Sequence, residues 1–339
     1  MPTEPASRRP RRVIIDTDPG IDDALALALA LRSPELRLEA ITTVCGNVNV
    51  DLGTRNALLV LEALGVDDPP PVARGADRPL ERPAVDASDV HGEDGLGGVT
   101  GIVEPGGSPR YRLPRATACN QHAVDLILDI VRQNPNEITL IAVGPLTNVA
   151  LAVDRDPSAM AGLAELIVMG GSLSGIGNVT PTAEFNFYAD PHAARQVLRA
   201  GLKTTLVGLD VTLKTLLRKA QLEGRLARSK STAAKLVADV TMHYFAVSEA
   251  RGGDAASPLH DPLAVGVAID PSFVRTEPFQ ADVETDGVLT SGMLVADRRR
   301  TKARSGLQGR IQACVDVSAD RFVEFFLDRL LTDRARGGL

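Results

Sequence analysis

The sequence contains no tryptophan, and aromatic residues make up only 3% of its 339 positions. Cysteine is also scarce, since Cys45, Cys119 and Cys314 are the only ones and no two of them form a CxxC pair. This spacing argues against a disulfide framework and against a cysteine-bound zinc site. A reducing, cytoplasmic setting is therefore the expected one.

The chain also lacks an excess of basic residues, because 37 Lys and Arg stand against 43 Asp and Glu for a net charge of -6. Such a balance offers no basic surface to a nucleic-acid backbone, so DNA and RNA are not expected as partners. No apolar run approaches the roughly 20 residues that span a bilayer, and only the short run 13–15 follows Arg8 and Arg9 where a signal peptide needs roughly 7 to 15. We therefore expect neither a membrane span nor a signal peptide, and residues 1–10 are predicted to be a disordered tail.

Short β-branched runs alternate with helical patterns along the rest of the chain, which is typical of βαβ units and a mostly parallel sheet. The predicted strands cover 12–17, 36–44, 138–143, 165–170 and 204–209, the predicted helices cover 22–33, 51–65, 121–133, 190–200, 231–250, 258–269 and 318–332, and a hairpin is predicted within 278–296. The strands are apolar almost throughout, as expected where helices cover both faces. The pattern predicts a single α/β domain over 11–335, with an open, mostly parallel sheet between two helical layers.

A stretch from about Gly75 to Thr117 shows little periodicity and contains the glycine-rich segments HGEDGLGG and VEPGGSPR. A loop this long inside a compact domain is usually functional or mobile. We therefore interpret it as a candidate lid.

Four aspartates, Asp16, Asp18, Asp22 and Asp23, lie within eight residues where the first predicted strand meets the first predicted helix. In open α/β sheets ligands bind at the carboxyl ends of the strands. Helix capping would account for one or two of these residues, but four carboxylates so close together need a counter-ion. Carboxylates without neighbouring His or Cys are hard oxygen ligands, which suit calcium or magnesium rather than zinc.

The acidic cluster is the first of several motifs that follow one another along most of the chain. They are DTDPGIDDALAL at 16–27, ITTVCGN at 41–47, VGPLTNVA at 143–150, VMGG at 168–171, GNVTPTAEFNFYADPHAA at 177–194 and LHDPLAV at 259–265. In this order they resemble the inosine-uridine preferring nucleoside hydrolase family. The resemblance implies a nucleoside hydrolase-like fold with a Rossmann-like core, and an enzyme of nucleoside salvage that uses water to cut the N-glycosidic bond of a ribonucleoside. It also implies a homodimer or homotetramer.

The resemblance further implies a calcium ion as cofactor. In the family this ion is held at the positions of Asp18, Asp23 and Asp261 and by the backbone carbonyl at the position of Val143. It also binds the ribose 2′- and 3′-hydroxyls and the attacking water. By the same resemblance, Asp18 is the general base that takes a proton from that water.

Other positions match the family's ribose site. By resemblance the residues that hold the ribose hydroxyls are Asp22, Asn47, Asn178, Glu184 and Asn186, while Met169 lies beside the sugar and Asp16 supports the cluster from behind. Cleavage passes through an oxocarbenium-like sugar, which carboxylates and amides can stabilise as its charge develops. The segment AEFNFYADP at 183–191 supplies such groups, although it can also be read as a plain turn before a helix capped by Asp190.

Two of the five histidines are candidate proton donors to the leaving base. His260 directly precedes Asp261, and by resemblance it faces the base, whereas a lone buried histidine is usually only hydrogen-bonded. His91, in the glycine-rich loop, matches a histidine that also approaches the base. The sequence leaves open which of the two acts as the acid.

The preferred base is also left open, because the segment ARGGDAAS at 250–257 has no tyrosine where purine-preferring relatives carry one. Tyr244 and Phe245 either line the base pocket or pack as ordinary helix residues.

Two other functions remain as alternatives. One is a haloacid-dehalogenase-like phosphatase, although Gly20 stands where its DxDxT pattern needs threonine. The other is a non-catalytic protein that binds calcium or nucleosides.

Overall fold

The computed structural model describes residues 9–250, 252, 254–299 and 306–332, so residues 1–8 of the predicted tail and 333–335 of the predicted domain lie outside the described residues. The strands are β1 (Arg11–Thr17), β2 (Leu36–Thr43), β3 (Val72–Arg74), β4 (Ile138–Ala142), β5 (Glu165–Met169), β6 (Thr204–Val207), β7 (Leu216–Arg218), β8 (Ala256–Pro258), β9 (Val274–Val283), β10 (Leu294–Ala296) and β11 (Gly309–Val317).

The helices alternate with these strands. They are α1 (Ile21–Leu31), α2 (Val50–Ala63), α3 (Ser88–His91), α4 (Ala123–Gln133), α5 (Thr147–Arg155), α6 (Pro157–Met160), α7 (Phe185–Ala189), α8 (Pro191–Arg199), α9 (Leu209–Thr212), α10 (Lys219–Leu226), α11 (Thr232–Ala250), α12 (His260–Ile269) and α13 (Ala319–Leu331). Two short 3₁₀ turns cover Val99–Gly101 and Pro271–Phe273. Within the described residues, no helix is both long and apolar enough to cross a membrane.

Nine strands form one sheet in the order β10-β9-β11-β6-β5-β4-β1-β2-β3. Strands β1 to β6 and β11 run parallel, and β9 is antiparallel to both β10 and β11. The chain moves outward from β1 in one direction through β2 and β3, and in the other through β4, β5 and β6. The order therefore reverses between β1 and β4, which is the switch point where open α/β sheets bind ligands. The prediction of a single α/β domain with a mostly parallel sheet is confirmed.

Alternate residues of β1 face different helical layers because successive side chains of a strand point to opposite faces. Val13 and Ile15 pack in a core with α1, α2, α12 and α13. Ile14 packs in a second core with α4, α5 and α8. Helices thus cover both faces of the sheet, which explains the nearly continuous apolar runs of its central strands.

Some elements differ from the prediction. Strand β11 is long and lies inside the sheet, yet it was not predicted, although its buried and exposed residues largely alternate. The three residues of β3 are too few to give a pattern. The predicted helix at 258–269 begins only at His260, because Ala256–Pro258 form β8, which pairs with β7. The predicted hairpin is present as β9 and β10.

Candidate active site

A cleft of about 530 Å³ opens where β1, β4 and β5 end. Ten of the predicted site residues line it, namely Asp22, Asn47, His91, Val143, Met169, Asn178, Glu184, Asn186, His260 and Asp261. Asp18 and Asp23 are fully buried behind this lining. The structure therefore brings together, from segments far apart in the chain, the residues that the resemblance implied for the metal, the ribose and the leaving base.

The turn after β1 holds Asp18 and Asp23 close together. Asp23 caps this turn, since its carboxylate accepts the backbone N–H of Gly20 at 2.9 Å and of Asp18 at 3.2 Å. The side chain of Asn47 donates to the same carboxylate at 3.0 Å. Gly20 is required here, because a Cβ would lie 2.8 Å from Cε1 of His91 and 2.9 Å from Nδ2 of Asn47.

Asp18 has one engaged and one unengaged carboxylate oxygen. Oδ2 accepts the backbone N–H of Asn47 at 2.7 Å. Oδ1 is buried and has no hydrogen-bond partner among the described residues. A buried polar atom without a partner costs free energy, which points to a group that binds there.

A triple of carboxylates lies beside Asp18. Single oxygens of Asp22, Asp23 and Asp261 all lie within 4.8 Å of one another, close enough to hold one ion between them. This triple overlaps the predicted ligand set only in part, because Asp22 belongs to it and Asp18 does not. All these donors are oxygens, so the cluster fits a hard cation such as calcium, and Asp18 Oδ1 adds a further free oxygen.

Burial and mutual repulsion disfavour the ionised form of this cluster. Burial raises the pKa of Asp18 well above its usual range, and the Asp23 carboxylate raises it further. The pKa of Asp261 is likewise raised by burial and then by Asp22 and Asp23. Burial also raises the pKa of Glu184 to about 7. The free energy of unfolding therefore falls as pH rises from roughly 4 toward 7, because these carboxyl groups must then ionise inside the protein. A bound cation would compensate their charge.

Asp16 lies behind the cluster, as predicted. Its Oδ1 accepts from the Thr42 hydroxyl at 2.6 Å and from the Asn148 side chain at 2.8 Å. Because Asn148 also donates to the carbonyl of Thr43 at 2.9 Å, it ties the ends of β1 and β2 to α5. These bonds fix the strand that ends in the acidic turn.

The space around Asp18 gives a direct prediction. A Cβ at Gly144 would lie 2.6 Å from Asp18 Oδ1, the unengaged oxygen. Gly144→Ala should displace this oxygen and lower turnover by roughly 10²-fold, as misplacements of about 1 Å do. Gly224→Ala is the matched control, since a Cβ there meets nothing within 4 Å. Steady-state rates of both variants test the point, and normal turnover by Gly144→Ala would show that this oxygen has no catalytic role.

Glu184 and Asn186 form the opposite wall of the cleft. The buried carboxylate of Glu184 accepts the backbone N–H groups of Asn186, Gly171 and Phe187 at 2.8, 2.9 and 3.1 Å. Asn186 donates to the carbonyls of Val143 at 2.7 Å and Met169 at 3.2 Å. These bonds hold both side chains rigidly at the ends of β4 and β5. Asp190 accepts the backbone N–H of Ala193 and so caps the next helix, as the alternative interpretation of this segment predicted.

The two candidate acids reach the cleft from different elements. His260 is the first residue of α12, and its Nδ1 lies 2.8 Å from the hydroxyl of Thr212. Nδ1 of His91 accepts the backbone N–H of Ile21 at 3.1 Å, which leaves Nε2 to carry the proton of the neutral ring. Burial lowers the pKa of His260, and it lowers that of His91 to about 4.

Helix α11 contributes Tyr244, for which the sequence left two readings open, and two residues that the sequence did not name. The hydroxyl of Tyr244 donates to Asp22 Oδ1 at 2.9 Å, and Val247 and Ser248 line the cleft beside it. These positions, spaced i, i+3 and i+4, share one helix face, and this spacing is the signal that could have found them. Phe245 is instead packed in the core, so only one of the two aromatic candidates lines the cleft.

The long segment that was interpreted as a lid has little regular structure beyond α3 and one 3₁₀ turn. It contacts the acidic turn and the residues beside that turn. The backbone N–H of Ala87 donates to the carbonyl of Asn47 at 3.1 Å, and His91 accepts from Ile21. Asn56 donates to the carbonyls of both Pro19 and Asp94. That this segment acts as a lid remains a prediction.

Comparison with known proteins gives a consistent result. The model of the inosine-uridine preferring nucleoside hydrolase family matches residues 13–324. An inosine-uridine preferring nucleoside hydrolase of Leishmania major is 38% identical over 95% of this chain and 98% of its own. A pyrimidine-specific ribonucleoside hydrolase, RihA, of an Enterobacter species is 38% identical over 94% of this chain and 97% of its own. Among solved structures, a plant nucleoside hydrolase superposes with a TM-score of 0.86 at 33% identity. The match covers 96% of this chain and 100% of the plant chain.

The family match, on a fold whose cleft lies at the switch point of the sheet, identifies the chain as a hydrolase that acts on N-glycosyl compounds. Within that class, the chain belongs to the inosine-uridine preferring nucleoside hydrolase family. This assignment favours a hydrolase of N-glycosyl bonds over both alternatives, the phosphatase and the non-catalytic binding protein. The family resemblance inferred from the motifs is confirmed.

Proposed function

We propose that this protein hydrolyses the N-glycosidic bond of ribonucleosides to ribose and free base, with Asp18 as the general base and calcium as the cofactor. The observation that carries the proposal is the unengaged Asp18 Oδ1, buried beside three clustered carboxylates at one cleft. A carboxylate oxygen in this setting is free to accept a proton from water. The engaged Oδ2 meanwhile fixes its orientation through Asn47.

The metal is proposed to be held by Asp18, Asp23, Asp261 and the carbonyl of Val143, with Asp22 near enough to join them. Calcium, when bound there, would orient the ribose diol and the water and would favour the ionised form of these carboxylates. The Val143 carbonyl already accepts from Asn186, yet a carbonyl oxygen has two lone pairs, so a second contact is open to it.

The protein's own groups would stabilise the sugar as positive charge develops at its anomeric carbon. Asp22 and Glu184 line the cleft with carboxylates, and their negative charge would favour an oxocarbenium-like transition state. Asn47, Asn178 and Asn186 would bind ribose hydroxyls through amide groups, while Met169 would pack beside the ring. Because backbone hydrogen bonds hold Glu184 in place, little reorganisation is needed when the charge appears.

The leaving base needs a proton, and His260 and His91 are the two donors that the cleft offers. A nitrophenyl riboside releases a stabilised phenolate and needs much less help. His260→Ala should slow inosine or uridine hydrolysis by roughly 10² or more, and the nitrophenyl substrate far less. If His91→Ala shows this pattern and His260→Ala does not, the acid belongs to the loop. Equal losses on both substrates for His260→Ala would indicate damage to the adjacent Asp261.

A panel of purine and pyrimidine ribonucleosides, assayed for free reducing sugar and free base, tests the proposed function. We expect equal amounts of both products, and the ranking of rates gives the base preference, which the relatives do not fix because their names differ on this point. Saturable nucleoside binding without turnover would contradict the proposal in favour of a binding protein. The homo-oligomeric state and the cytoplasmic location stay predictions.

A further inference from the structure

Thr212 is a buried residue that contacts a candidate catalytic side chain without lining the cleft itself. It ends the short helix α9, which follows β6, and it is fully buried. Its hydroxyl lies 2.8 Å from Nδ1 of His260. Within the part of the chain that the structure describes, this is the single hydrogen bond of that hydroxyl.

The chemistry of the two groups decides which of them donates. A threonine hydroxyl carries one hydrogen, and a neutral imidazole carries its proton on either Nδ1 or Nε2. A proton on Nδ1 would leave the hydroxyl hydrogen of Thr212 buried without an acceptor, which is unfavourable. If Nδ1 is bare instead, the hydroxyl donates to it, and the proton of His260 resides on Nε2. The contact therefore favours the Nε2–H tautomer.

We propose that Thr212 is a positioning residue that fixes neutral His260 as the Nε2–H tautomer, so that its N–H donates a hydrogen bond to the departing nucleobase and stabilises the negative charge that develops there; the released base then takes its proton from water. This inference rests on the proposed function, in which that charge develops as the N-glycosidic bond breaks. At His91, Nδ1 accepts the main-chain N–H of Ile21 and lies 3.2 Å from the hydroxyl of Tyr244, so the tautomer of His91 does not depend on Thr212. A substitution of Thr212 should therefore change the tautomer of His260 and leave that of His91 unchanged.

Thr212→Val and Thr212→Ser form a matched pair for the test. Valine keeps the branched shape but removes the hydroxyl, whereas serine keeps the hydroxyl. Thr212→Val should lower kcat for inosine and uridine by roughly tenfold with little change in KM, in line with the loss of one hydrogen bond. It should leave nitrophenyl riboside hydrolysis within about twofold of normal, and Thr212→Ser should stay within about threefold on all substrates. Equal losses on both substrate types, or normal nucleoside turnover by Thr212→Val, would overturn the proposal.

A double variant tests whether Thr212 acts through His260. Combining Thr212→Val with His260→Ala should cost no more nucleoside turnover than His260→Ala alone, because the second change has nothing left to orient. Additive losses would show that Thr212 acts by another route.

Nitrogen-15 NMR of the histidine side chains gives a readout that does not depend on activity. With five histidines in the chain, the His260→Ala variant identifies the His260 signal. We expect the Nε2–H pattern for His260 in the unaltered protein and in Thr212→Ser, with a mixed or Nδ1–H pattern in Thr212→Val. An Nδ1–H ring in the unaltered protein would overturn the inference. If the protein hydrolysed no nucleoside, the proposed function would fail, yet this measurement would still decide what Thr212 does.

Discussion

Asp18→Asn should retain the fold and lose about 10² to 10⁴-fold in turnover, the usual contribution of a general base. The hydrogen bond from the Asn47 backbone N–H would keep the amide oxygen at the place of Oδ2. The amide NH₂ would then occupy the place of Oδ1, where it is a donor and cannot accept the water's proton. The variant thus replaces the proposed base by a group of the same shape.

The fold of this variant should be unharmed, because burial already disfavours a charge at Asp18 and a neutral amide avoids that penalty. Circular dichroism and thermal melting would check this. Asp51→Asn is a suitable control, since its carboxylate is exposed and paired with Arg74 away from the cleft. Near-normal turnover by Asp18→Asn would mean that another group is the base.

Removal of divalent ions should abolish activity, and calcium should restore it better than zinc. The expected preference follows from a donor set made only of oxygens, since zinc favours nitrogen and sulfur ligands. Full activity in a thoroughly chelated sample would remove the metal from the mechanism. Restoration by zinc alone would mean that the proposed ligands are wrong.

Calcium should also stabilise the folded chain, which can be measured without substrate. A free calcium concentration of 100 times the dissociation constant adds about 2.7 kcal/mol to the free energy of unfolding. The midpoint of thermal unfolding should therefore rise with calcium in the unaltered protein and in Asp51→Asn. Asp261→Asn should lose this rise, because it removes one of the three clustered carboxylates. A calcium-dependent rise that survives in Asp261→Asn would place the ion elsewhere.

The central strands and the acidic turn could be predicted from the sequence because their signals are local. The apolar run of β4 reflects burial on both faces, and four nearby aspartates need a counter-charge. Strand β11 escaped prediction because its register depends on β6 and β9, which lie far away in the chain. Its alternating burial was nevertheless a visible period of two.

The parts of the site that the sequence did not reveal depend on tertiary contacts. The sequence left Tyr244 open between the base pocket and ordinary helix packing, because its contact with Asp22 spans 222 positions of the chain. Thr212 contacts His260 from a four-residue helix with no recognisable pattern. The sequence also could not predict which aspartates cluster with Asp23 and Asp261. Asp18 and Asp22 are close in the chain, and only the directions of their side chains decide which of them joins the cluster.

The most direct test of the central claim is the fate of the water oxygen. Inosine and uridine are incubated with the calcium-loaded protein in H₂¹⁸O, with and without added phosphate, and the sugar product is analysed by mass spectrometry. The proposal predicts free base together with ribose that carries ¹⁸O from the solvent, at a rate unaffected by phosphate. Formation of a ribose phosphate that depends on added phosphate, or the absence of any cleavage, would contradict it.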